Sequence, residues 1–90
     1  MKLEESLFNW LQIHLVAEAR PEDRAAKETV RFFEDILTED HGVSELAISA
    51  QDTTMIHIRY TVNGKTKMQM FGREQAEQLL SDIDANPKYH

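Results

Sequence analysis

At 90 residues the chain is long enough for one small domain to form a core without staples. It has no cysteine, which excludes disulfides and thiolate metal sites. A net charge of −6 argues against general affinity for nucleic acid or anionic membranes. The charge is uneven, however. Residues 1–40 hold ten acids against five bases, whereas residues 55–73 hold Arg59, Lys65, Lys67 and Arg73 and no acid. No apolar run approaches the roughly 20 residues that span a bilayer. The opening residues carry Glu4 and Glu5 before the apolar part and offer no small-residue cleavage site, so no signal peptide is expected. The expected location is the cytosol.

Residues 3–19 are expected to form the first helix. Leu3, Leu7, Leu11 and Leu15 make one stripe, flanked by Phe8 and Trp10, while Ile13 and Val16 fall towards the opposite side. That apolar arc is wider than a surface helix needs. The helix is therefore either sandwiched between layers or partly exposed for a partner. His14, within the stripe, reads as a core histidine with a hydrogen-bond partner rather than a ligand. Arg20-Pro21 breaks the helix, and Pro21 suits the first position of a second one, with Glu22 and Asp23 at its positive end. The second helix runs to about Asp40. Ala26, Val30, Phe33, Ile36 and Leu37 form its stripe, with Ala25 and Phe32 beside it, and Gly42 is the C-terminal cap. Asp23–Lys27 and Arg31–Asp35 have the spacing of helical ion pairs.

Residues 44–50 read as a short strand with Leu46 and Ile48 inward, and Gln51-Asp52-Thr53 as a turn. Residues 54–71 then read as a β-hairpin. Ile56, Ile58 and Tyr60 alternate with His57, Arg59 and Thr61, and Met68 and Met70 alternate with Lys67 and Gln69. Asn63-Gly64 usually makes a two-residue type I′ loop. That loop sets Tyr60 opposite Lys67 and Ile58 opposite Gln69, mixing apolar and polar residues on each face. A three-residue loop with Gly64 in a bulge instead sets Ile58 opposite Met68 and Ile56 opposite Met70. Since one residue of slip moves every side chain to the other face, the hydrophobic pattern favours the bulge. After Phe71, Gly72 opens a last helix whose Ala76, Leu79, Leu80 and Ile83 form a plain core stripe, ended by Asn86-Pro87.

The predicted class is α+β, a single domain over residues 1–90 in the order ααβββα. It forms two layers, a three-stranded antiparallel meander covered on one face by helices. Leu46, Ile48, Ile56, Ile58, Tyr60, Met68 and Met70 are expected to meet the helices.

No catalytic, cofactor or metal signature emerges. The four histidines stand far apart without ligand spacing, and the three glycines stand singly, which leaves no phosphate loop or nucleophile elbow. The acids sit on expected helix exteriors, where water keeps them ordinary. Catalysis is not expected, and no cofactor is implied. The element order from about residue 22 to residue 85 resembles the double-stranded-RNA-binding domain. That family starts its last helix with lysines, whereas Gly72-Arg73-Glu74-Gln75-Ala76-Glu77 is nearly devoid of positive charge, so the resemblance is one of topology only.

Protein–protein interaction is the function expected, as a small regulatory or adaptor domain able to self-associate. The candidate surface comprises Trp10, Ile13 and Val16 on the first helix and His57, Arg59, Lys65 and Lys67 on the outer hairpin face. The strand at 44–50, an edge without proline or lysine, offers pairing to a second copy or a partner. The alternative is a nucleic-acid-binding accessory protein using the same outer face. Each feature also has a plain structural explanation: a buried helix, a covered edge, and polar residues that merely face water.

Overall fold

The first helix, α1 (Leu3–Ala19), is apolar over a wide arc because it is the middle element of the helical layer. It packs against both other helices, α2 (Arg24–His41) and α3 (Arg73–Ala85). Leu7, Trp10, Leu11 and Val16 are all buried in consequence. Burying a leucine side chain stabilises by roughly 1.5–3 kcal/mol. These positions therefore fix where the helix sits. The computed structural model of the chain describes residues 1–85. The helix stop expected at Asn86-Pro87 lies outside the described residues.

Between α1 and α2 the chain makes a four-residue turn. The Asp23 amide donates to the Arg20 carbonyl at 2.9 Å, with Pro21 at the second turn position, which its fixed φ suits. Helix α2 thus begins at Arg24 and not at Pro21. Asp23 is its N-cap, with Oδ1 accepting from the Ala26 amide at 3.0 Å. The carboxylate also meets Arg20 Nε at 3.4 Å, so it serves the cap and Arg20. At the other end Gly42 takes φ 68° and its amide reaches the Leu37 and Thr38 carbonyls, the left-handed cap expected. The α2 stripe buries Ala26 and Leu37, while Phe32 is left 57 % exposed beside Phe33.

Three antiparallel strands follow: β1 (Val43–Gln51), β2 (Met55–Val62) and β3 (Lys65–Gly72), in spatial order β1-β2-β3. The fold is α+β with the ααβββα order expected, an open sheet with helices packed against one face. The core joins Leu7, Trp10, Leu11, Leu37, Val43, Ile56, Ile58, Tyr60, Phe71 and Ala76, so every element contributes to it.

The hairpin register differs from the one expected. Val62 pairs with Lys65, Tyr60 with Lys67, Ile58 with Gln69 and Ile56 with Phe71. Asn63 and Gly64 both have positive φ, 54° and 75°, as a two-residue type I′ loop requires. There is no bulge in this hairpin, and Met68 and Met70 do not enter the core. They stand on the face away from the helices, 56 % and 52 % exposed. Local turn chemistry prevailed because the helical layer does not extend over the tip of β3. On the helix side of that strand Lys65 and Lys67 remain exposed and Gln69 half-buried, and only Phe71 is buried. Bulges occur in β1 instead. Ser44 and Ser49 are the extra residues against β2, and their hydroxyls donate to the carbonyls of Thr61 (3.5 Å) and His57 (3.3 Å).

Candidate functional site

The sheet face opposite the helices is the surface from which a site can be built. Its side chains follow from the register. Strand β2 supplies His57, Arg59 and Thr61; β3 supplies Met70, Met68 and Thr66 directly across from them; β1 supplies Ala50, Ala47 and Glu45 on the other side. A two-residue loop is flanked by a hydrogen-bonded pair, so the alternation makes His57–Met70 and Arg59–Met68 non-hydrogen-bonded pairs. Side chains approach more closely in such pairs. A thioether therefore lies beside each basic side chain. Thr61 and Thr66 face each other with their hydroxyl oxygens 3.5 Å apart.

One end of this face is held by a compact polar turn. Asp52 Oδ1 accepts from the amides of Thr54 (2.9 Å) and Met55 (2.7 Å), and the Asp52 amide donates to the Met55 carbonyl at 3.0 Å. Asp52 Oδ2 lies 3.7 Å from His57 Nε2. Arg73 Nη1 donates to the Asp52 carbonyl oxygen at 3.0 Å, while Arg73 Nε reaches Glu77 at 3.0 Å. The Thr54 and Met55 amides, the largest influences, hold the Asp52 carboxyl below the usual carboxylate range. The start of β2 and the start of α3 are tied through Asp52 and through the Arg73 amide, which donates to the Thr54 carbonyl at 2.8 Å.

The expected interaction residues do not form one surface. Trp10 and Val16 are buried, 3 % and 1 % exposed, because α1 lies between two helices, so neither is available to a partner. The Trp10 indole N–H donates to Glu34 Oε2 at 3.1 Å. Ile13 is half-buried. His14 is not a core residue either: its ring stacks on Trp10 with centroids 4.7 Å apart, and its Nε2 meets the Glu18 carboxylate. Of the four hairpin residues, only His57 and Arg59 share the open face. Lys65 and Lys67 project to the helix side of the sheet at the free edge of β3, because the true register is one residue from the one expected. The surface that sequence reasoning missed is Met68 and Met70. Their signal was the Asn63-Gly64 dipeptide, whose usual turn already turns both methionines outward.

Among the described residues no group of three or more His, Cys, Asp or Glu side chains is placed to hold a metal ion. No helix among them is long and apolar enough to cross a membrane. A groove between α1 and α2 gathers His14, Glu18, Lys27, Arg31 and Glu34, charges of both signs along an open surface. Neither protein-family profiles, nor curated proteins, nor solved structures give a match to this chain.

Proposed function

We propose that this chain is a non-enzymatic protein-interaction domain of the regulatory or adaptor kind, and that it docks through the open face of its sheet. The observation that carries the reading is the pair Met68 and Met70, each more than half exposed next to Arg59 and His57. Among the described residues the exposed large apolar side chains are Met1, Phe32, Met68 and Met70, and of these Met68 and Met70 share one sheet face. Two neighbouring thioethers left in water on an uncovered sheet face are the kind of adaptable apolar surface that partner proteins cover. Arginine beside them supplies the anchor type enriched at such interfaces.

The nucleic-acid reading required a continuous cationic face. That face does not exist as drawn, since Lys65 and Lys67 lie on the other side of the sheet from Arg59. Protein is thus the partner class favoured, with a second copy of the chain as one form of it.

Affinity capture from host lysate compares the wild type, M68E/M70E and F32E. All three are substitutions at exposed positions, so the fold is retained. The expected result is a partner held by the wild type and by F32E and weakened at least about tenfold by M68E/M70E, roughly 1.4 kcal/mol. Sedimentation of the same proteins shows whether the partner is a second copy. Capture and association state that are indifferent to Met68 and Met70 would remove the proposal.

A further inference from the structure

We infer that the free edge of β3 takes up an extended, acidic segment of a partner protein as a fourth strand. The inference rests on the reading of the chain as an interaction domain and specifies how it binds. The two edges of the sheet are not equivalent. On β1, the bulges at Ser44 and Ser49 interrupt the ladder and twist the strand, the usual means of blunting an edge. On β3, eight consecutive residues pair with β2 without interruption, and no proline interrupts the strand. Val62–Lys65 is the hydrogen-bonded pair that closes the turn, so the ladder alternates from there. The N–H and C=O groups of Thr66, Met68 and Met70 therefore turn away from β2, towards the open edge. Lys65, Thr66, Lys67, Met68 and Met70 are all exposed, and this length suits an added segment of about five or six residues.

The side chains along that edge select the occupant. Lys65 and Lys67 flank it on one side and Met68 and Met70 on the other, within a stretch, residues 55–73, that holds no acid. A strand with acids on one side and apolar residues on the other complements both. A second copy of β3 does not, since it brings two more lysines and no acid. The lysines thus oppose pairing between copies and admit a strand of opposite charge.

The test uses the full chain, isotopically labelled, with three synthetic heptapeptides at millimolar concentration. One alternates Val and Glu, one alternates Val and Lys, and one is the Val/Glu peptide N-methylated at alternate residues. Amide exchange is followed by NMR. The Val/Glu peptide is expected to slow exchange at Thr66, Met68 and Met70 by tenfold or more, and the other two peptides are expected to have little effect. In K65E/K67E the preference passes to the Val/Lys peptide. Met68→Pro removes an edge donor that β2 does not use, and it abolishes the protection. If Val/Glu gives no protection at these amides, or protects only β1, strand addition is wrong. If M68E/M70E still loses its captured partner in that case, the open-face reading stands without it. If both results fail, both ideas fall.

Discussion

Gly64 decides which side of the sheet the methionines occupy. Its φ of 75°, next to Asn63 at 54°, is left-handed backbone, where a Cβ costs roughly 1–2 kcal/mol. No atom lies within 4 Å of a Cβ built there, so the cost of Gly64→Ala is conformational and not steric. The expected outcome is a loss of about 1 kcal/mol in urea unfolding, with the register retained. Asp52 makes a second residue-scale prediction. Its carboxyl is held low by the Thr54 and Met55 amides, so it binds its proton less readily folded than unfolded. Its stabilising contribution is therefore complete above the unfolded value near 3.9 and is lost as pH falls through the lower folded value. The same holds for Asp23, whose carboxyl the Ala26 amide lowers. Asp52→Asn keeps an acceptor for the turn but has no proton to gain. Its unfolding midpoint is expected to fall less steeply than that of the wild type between pH 5 and pH 2, read by fluorescence in urea, with the pH range as an approximate bracket of the carboxylate titration.

At the scale of elements, helices and strands were legible because their periodicities are local. The α1 stripe, the Gly42 cap and the β2 alternation all appear where expected. The breadth of apolar surface on α1 was legible as well, but its cause was not: a wheel cannot say whether a second helix or a partner covers the far side. The start of α2 moved by three residues because the Asp23 cap and the Arg20 turn together outweigh the preference of proline for a first helical position. Leu11→Ala separates core from surface. At 0 % exposure in the middle helix it is expected to cost about 2–5 kcal/mol. Phe32→Ala, more than half exposed on α2, is expected to change stability by less than about 0.5 kcal/mol. Chemical denaturation of the two variants side by side checks both.

For the molecule as a whole, the sheet is covered on one side only, and that decides how far sequence reasoning carries. The rule that apolar residues point inward assumes that helices cover the whole inner face. Here they cover β1, β2 and the last part of β3 and stop short of the hairpin tip. The inner face of β3 is therefore free to carry Lys65 and Lys67, and its outer face free to carry methionine. Length of coverage depends on how three helices pack together, and no window of residues encodes it. Charge, by contrast, was read directly: the helices carry more acids than bases, and the hairpin strands carry Arg59, Lys65 and Lys67 and no acid.

The same tip also limits how long the purified protein keeps its identity. Asn63 is exposed and is followed by a residue without a side chain, so the Gly64 nitrogen can attack the Asn63 amide, expel ammonia and close a cyclic imide. Reopening of that ring by water yields aspartate or its β-linked isomer. Either product introduces an anion among cations, and the isomer adds a carbon to the main chain at the tightest bend. Ageing would therefore erode the hairpin from its apex.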